Sequence, residues 1–169
     1  MRASLFALVA FILAASPVRA QETQTVEFTP YLAVGSSGAS PFGAAITISL
    51  TPTLSLETDV AYRHGEGIHA LSTSGSLLYS LPRVGQSTPY VAGGLGLSQY
   101  GSPVFSPMGV PIGSQSRVAV TLNAGGGVKT PVRKKLDLRT DVRYYKSFGR
   151  EGSEAFRVAE GISFHAGKR

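Results

Sequence analysis

The sequence of 169 residues predicts an all-β fold: an eight-stranded antiparallel up-and-down transmembrane β-barrel, preceded by a cleavable signal peptide. Three observations predict it. After residue 20, apolar side chains recur at every second position in eight segments of about ten residues. The connectors between these segments alternate between short turns bearing proline and mostly longer loops rich in Gly and Ser. The mean hydropathy is slightly positive, yet no apolar run after residue 20 is long enough to make a membrane helix.

Residues 1–20 read as a secretory signal. Arg2 gives a positive start, residues 5–15 (LFALVAFILAA) form an apolar core, and Ser16-Pro17 breaks it. Val18-Arg19-Ala20 then offers small residues at the −3 and −1 positions of a cut after Ala20. The alternative, a membrane anchor, is disfavoured because so short a helix, at about 1.5 Å per residue, falls well short of a hydrocarbon core of about 30 Å. The chain has no cysteine, so a lipoprotein, a disulfide framework and a Cys-based metal site are all excluded. Residues 21–169 are then expected to form one domain. Cleavage removes Arg2 and Arg19 and lowers the formal charge of +6 by two. The remaining dense basic run, Arg133-Lys134-Lys135, sits between Pro131 and Leu136 as a turn. With export, it argues against a nucleic-acid partner.

The strand segments follow in order. Residues 25–34 open the series. In 42–50, Phe42, Ala44, Ile46, Ile48 and Leu50 share one parity, against Gly43, Ala45, Thr47 and Ser49. In 54–63, Leu54, Leu56, Thr58, Val60 and Tyr62 oppose Ser55, Glu57, Asp59, Ala61 and Arg63. In 68–81, Leu71, Thr73, Leu77, Tyr79 and Leu81 oppose a row of serines. In 90–100, Val91, Leu95 and Leu97 oppose Tyr90, Gly94, Gly96 and Ser98; in 117–130, Val118, Val120, Leu122, Ala124 and Val128 oppose Thr121, Asn123, Gly127 and Lys129. In 136–145, Leu136, Leu138, Thr140, Val142 and Tyr144 oppose Asp137, Arg139, Asp141, Arg143 and Tyr145. Residues 155–165 close the series. Such parity is what a pleated strand imposes, since successive side chains point to opposite faces. Short turns are expected at 51–53, 82–88 and 131–135, and loops at 35–40, 64–67, 101–116 and 147–154.

The character of the two faces decides which is outside. The polar parity is mostly Gly, Ser, Ala and Thr, with a few charges of both signs. Small inward residues suit a narrow closed barrel, whose lumen holds little volume. The apolar parity carries aromatics near strand ends, namely Tyr62, Tyr79, Tyr144, Phe156 and Phe164, as a lipid-facing surface requires. Closure satisfies every backbone N–H and C=O, which hydrocarbon demands.

Four blocks, 89–97 (PYVAGGLGL), 123–128 (NAGGGV), 135–145 (KLDLRTDVRYY) and 157–164 (RVAEGISF), together resemble the small outer-membrane β-barrel domain family, similar to the barrels of OmpA and OmpX. The resemblance covers the C-terminal half. It implies an eight-stranded barrel in the outer membrane with periplasmic termini and four outer loops, in contact with outer-membrane lipid and inserted by the barrel-assembly machinery. That machinery commonly reads a terminal aromatic residue, whereas here Phe164 is followed by five more residues. Glu160 also departs from the pattern, because it shares the parity of Phe156, Val158, Ile162 and Phe164. A bulge or a register shift would take it off the lipid face.

Inward charges are expected to pair and fill the lumen: Glu57, Asp59 and Arg63; Asp137, Arg139, Asp141 and Arg143; Arg157, joined by Lys129 and Glu27. A narrow ion path is the competing reading, and eight strands leave room only for side chains. Catalysis would need a His–Ser pair and a carboxylate at the rim. His69, Ser72 and Glu66 are the nearest such set, but positions 69 and 72 differ in parity and so point to opposite faces. The Gly-rich stretches lack Gly-Lys-Ser/Thr and a following helix, so they are not phosphate loops. No cofactor and no metal site are expected. The loop at 101–116 holds Val104, Phe105, Met108, Val110 and Ile112 and is expected to meet an extracellular partner. The expected role is non-enzymatic, structural or surface-interacting. The alternatives are a lipid A-modifying enzyme of the same architecture and a soluble exported barrel holding a small apolar ligand.

Overall fold

The computed structural model describes residues 25–36, 41–65, 68–106, 111–148 and 153–166; the expected signal segment and Glu66 lie outside the described residues. Eight strands run in chain order: β1 (Val26–Gly35), β2 (Phe42–Ser49), β3 (Leu54–Gly65), β4 (Ile68–Ser80), β5 (Thr88–Phe105), β6 (Pro111–Arg133), β7 (Leu136–Phe148) and β8 (Glu154–Ala166). Each pairs antiparallel with the next, and β8 pairs back to β1, so the sheet closes without an edge.

The turns at one end are tight for identifiable reasons. Between β2 and β3, the Thr51 hydroxyl accepts the backbone N–H groups of Thr53 and Leu54 at 3.3 and 2.9 Å, an ST-type turn beside Pro52. Between β4 and β5, Gly85 adopts φ 63°, a left-handed conformation natural to glycine. Between β6 and β7 only Lys134 and Lys135 remain outside the strands, because β6 runs on through Pro131 with a register shift before Arg133. That run was expected as a turn from position 131 onward.

The largest correction concerns residues 101–116. They were expected as a loop, but β5 continues to Phe105 and β6 begins at Pro111, pairing Gly101 with Ser116 and Val104 with Gly113. β5 and β6 therefore have 18 and 23 residues and project as a hairpin beyond the other strands. Alternation reveals a strand only where one face is apolar. A ribbon standing clear of the barrel has no such face, so its strands leave no period-two signature.

The two faces are inverted relative to a water-soluble sheet. Leu32, Leu95 and Phe156 are 73%, 62% and 58% exposed, whereas Arg143, Glu57 and Asn123 are 0–1% exposed. The core of this fold is the polar lumen. Outward rings mark its two ends: Tyr79 and Phe164 near the turns, and Tyr62, Tyr144 and Phe156 near the loops. Tyr144 packs on Phe156 at 5.1 Å between centroids, and Tyr62 meets Phe42 edge-on at 5.6 Å. Glu160 stands on this outer face. Pairing of β8 with β7 runs from Leu136↔Phe164 to Lys146↔Glu154 without a bulge, so the carboxylate is outward by regular register.

Candidate functional site

Strand parity delivers the charged residues to the lumen, and closure of the sheet brings strands distant in sequence face to face. β3 contributes Glu57 and Asp59, β7 contributes Arg139, Asp141 and Arg143, and β8 contributes Arg157; all six are buried. Glu57 receives both arginines of β7: Arg143 Nη2 at 2.5 Å on one carboxylate oxygen and Arg139 Nη1 on the other. Arg143 Nε also meets Asp141 Oδ1 at 2.9 Å, and Arg139 Nη2 meets Asp141 Oδ2 at 3.1 Å. Two carboxylates and two guanidiniums thus form a closed quartet. A buried ion pair survives only if its remaining donors and acceptors are met, and here neutral groups meet several of them. The Tyr90 hydroxyl donates to Asp141 at 2.6 Å and accepts from Arg139 Nε at 2.7 Å. Thr47 donates to Glu57 at 3.1 Å, while Ser76 accepts from Arg143 at 3.3 Å and donates to Asn123 at 3.1 Å.

A second cluster lies beside the first. Arg157 Nη1 reaches Asp59 at 3.2 Å and the Tyr31 hydroxyl at 2.8 Å, and Tyr31 donates to Asp59 at 2.5 Å. The Arg157 guanidinium also lies over the rings of Tyr31 and Tyr145, at 4.9 and 5.1 Å from their centroids. At the turn end, Lys129 meets Glu27 at 2.5 Å and His165 Nε2 meets Asp137 at 2.9 Å. Asp137 is therefore separate from the quartet, and its partner His165 is buried with it. Arg63 is half-buried toward the loop end. There it lines a cavity of about 100 Å³ together with Asp59, Ser72, Ser74, Ser98 and Arg157.

The lumen also holds tyrosines, which the charge pattern alone does not announce. Tyr31, Tyr90 and Tyr145 all fall on the polar parity, and a large aromatic among Gly and Ser was the available signal. Glycine answers two of them from the neighbouring strand, Gly127 as the register partner of Tyr90 and Gly43 as that of Tyr31. A Cβ at Gly127 would lie 2.5 Å from the Tyr90 hydroxyl, and one at Gly43 would lie 2.5 Å from that of Tyr31.

The set considered for catalysis is not assembled among the described residues. Ser72 faces the lumen and bonds Ser98 at 2.9 Å. His69 faces outward, where its Nδ1 lies 2.8 Å from His64 Nδ1 and 3.0 Å from the Tyr62 hydroxyl. No group of three His, Asp or Glu side chains among the described residues is placed to hold a metal.

No family model matches the chain, and no curated protein matches it significantly. Solved structures do resemble it. The N-terminal β-barrel domain of OprF from Pseudomonas aeruginosa matches with TM-score 0.66 at 19% identity, over 86% of this chain and 100% of that one. Neisserial surface protein A matches with TM-score 0.62 at 14% identity, over 83% of this chain and 94% of that one. The outer-membrane enzyme PagL matches with TM-score 0.50 at 14% identity, over 82% and 98%. The fold is that of the small eight-stranded outer-membrane β-barrels.

Proposed function

We propose that this chain is a non-enzymatic integral protein of the outer membrane, a closed barrel with a structural or surface-interaction role carried by its loop end. The observation that supports this most directly is the inversion of faces. A soluble barrel places its apolar side chains in the centre, whereas here Glu57, Arg139, Asp141 and Arg143 occupy the centre and a continuous belt of Leu, Ile, Val and Phe covers the outside. Such a belt in water would be an exposed apolar patch far larger than a few hundred Å². In lipid it is the required surface. The same inversion disfavours a soluble barrel with an apolar ligand, since the lumen offers that ligand paired charges. In this orientation the tight turns face the periplasm, and the β5–β6 hairpin stands at the outer surface as the principal contact element, in place of a loop over 101–116.

The alternative of a lipid A-modifying enzyme keeps the same architecture, and the solved structures that resemble the chain include an outer-membrane enzyme, PagL. The opposed directions of His69 and Ser72 weigh against it. Gel mobility of the membrane fraction, with and without boiling, tests the proposal. The expected result is a membrane-associated band that runs differently unheated. Recovery of the chain in the soluble fraction, or an activity on lipid A lost on His69→Ala or Ser72→Ala, would overturn it.

A further inference from the structure

Glu160 sits where a lipid-facing barrel has least use for a carboxylate. It lies four positions from Phe156 and four from Phe164 on the same outward face of β8, and those two rings belong to the opposite ends of the barrel. At about 3.3 Å per residue and a tilt near 45°, each ring is roughly 9 Å away along the barrel axis. Glu160 is therefore at mid-depth. It is exposed, and among the described residues no hydrogen bond or ion pair reaches it. Across the seam on β1 it is flanked by Leu32, exposed to 73%, and across the ladder on β7 by Thr140.

A second irregularity lies beside it. Hydrogen bonds from β1 alternate between neighbours: Ala33 N–H goes to Pro41 next to β2, and Ser36 N–H goes to Phe156 on β8. Even-numbered β1 residues thus serve β8, and Pro30 is one of them, with no N–H to give. Pairing of β1 with β8 is interrupted there, between Phe28↔Phe164 and Tyr31↔Gly161. A missing donor and an outward carboxyl at neighbouring positions both raise the cost of leaving this face in hydrocarbon.

We propose that the face centred on Glu160, spanning β7, β8 and β1, is an interface with a second copy of this chain within the membrane. The inference rests on the outer-membrane reading above. The occupant follows from hydrogen-bond complementarity. Glu160 offers acceptor oxygens and Thr140, its register partner on β7, offers a hydroxyl donor. About a two-fold axis along the membrane normal, each Glu160 meets the Thr140 of the other copy. The surrounding Leu32, Val158 and Ile162 supply the apolar contact, and no other acidic or basic side chain among the described residues lies on the outward face between the aromatic rings to call for a different partner. An isologous contact of this kind closes as a dimer and does not propagate.

The absence of native cysteine makes the test clean. Ile162→Cys and, on the opposite wall, Leu77→Cys are oxidised in isolated outer membranes. The expected result is a covalent product of twice the chain mass for Ile162→Cys, at least five-fold more abundant than for Leu77→Cys. Addition of Glu160→Gln, which keeps an acceptor and a donor, should retain that product, and Glu160→Val should remove most of it. Glu160→Val is checked for an unheated folded band, so loss of the dimer is not mistaken for loss of the barrel. Equal products at positions 77 and 162, a product indifferent to Glu160→Val, a heavier adduct with another protein, or no product from a heat-modifiable membrane protein would each overturn the dimer while leaving the outer-membrane reading standing. Recovery of the chain in the soluble fraction would overturn that reading itself.

Discussion

Glu57 and Arg143 form an ion pair of 2.5 Å across the middle of the barrel, from strands β3 and β7. In an eight-stranded closed sheet these strands are four apart whichever way round one counts, so the pair ties opposite walls. Removing one partner of a buried pair strands the other, at a cost of about 3–5 kcal/mol. Glu57→Ala leaves both Arg139 and Arg143 without their shared carboxylate, so the folded, fast-migrating band should convert to the unfolded one at a lower temperature than in the wild type. Glu57→Gln, which keeps hydrogen-bond acceptance, should fall between. An unchanged melting temperature for Glu57→Ala would show that the lumen solvates its own arginines.

The same quartet should close the lumen to ions. Wild-type protein in planar bilayers should show no steady conductance, because guanidinium and carboxylate groups fill the cross-section that eight strands leave. Glu57→Ser combined with Arg143→Ser removes a positive and a negative side chain together, so the charge balance is kept while the centre is emptied. This double variant should conduct. A steady current through the wild type would instead identify the lumen as a path.

Much of this was legible in the sequence, for a physical reason. A bilayer imposes one solvent on the outside and a crowded lumen on the inside, so every spanning strand must alternate. The alternation in LSLETDVAYR and LDLRTDVRYY placed Glu57, Asp59, Arg139 and Arg143 on one face before any pairing was known. Which carboxylate meets which arginine was not legible, because partners such as Glu57 and Arg143 are brought together by closure, 86 residues apart in the chain. The strands over residues 101–105 and 111–116 were missed because they lie outside the apolar belt that writes the pattern. Glu160 was legible as an anomaly, and the structure removes the escape through a bulge.

Depth on the outer face predicts the effect of outward charges. Leu138 on β7 pairs with Ile162 and is 44% exposed, close to the level of Glu160. Leu138→Arg should cost about 2–4 kcal/mol, measured as a shift in the urea midpoint of folding into lipid vesicles. Arg at Phe148, beyond the belt at the loop end of the same strand and also outward, should cost about 1 kcal/mol or less. Equal costs at the two positions would argue that the outer face is not graded by a bilayer.

The close approach of Gly127 to Tyr90 predicts a steric lock on the quartet. A Cβ at position 127 would lie 2.5 Å from the Tyr90 hydroxyl, which simultaneously serves Asp141 and Arg139. The same Cβ would meet the Thr140 backbone oxygen of β7 more closely still, so Gly127→Val must shift β6 against β7 as well as displace Tyr90, and displacement of Tyr90 leaves Asp141 without its hydroxyl donor. Loss of a buried hydrogen bond to a charged group costs about 1.5–3 kcal/mol, and overpacking adds to it. Tyr90→Phe removes the hydroxyl alone and should show the smaller loss of the two in heat stability. In the Tyr90→Phe background, Gly127→Val should cost less than it does in the wild type, because one of the clashing atoms is gone, while the Thr140 backbone oxygen and the ring carbon at 2.7 Å keep a residual cost. If the two losses simply add, the glycine is required by the strand and its neighbours, with no part played by the tyrosine.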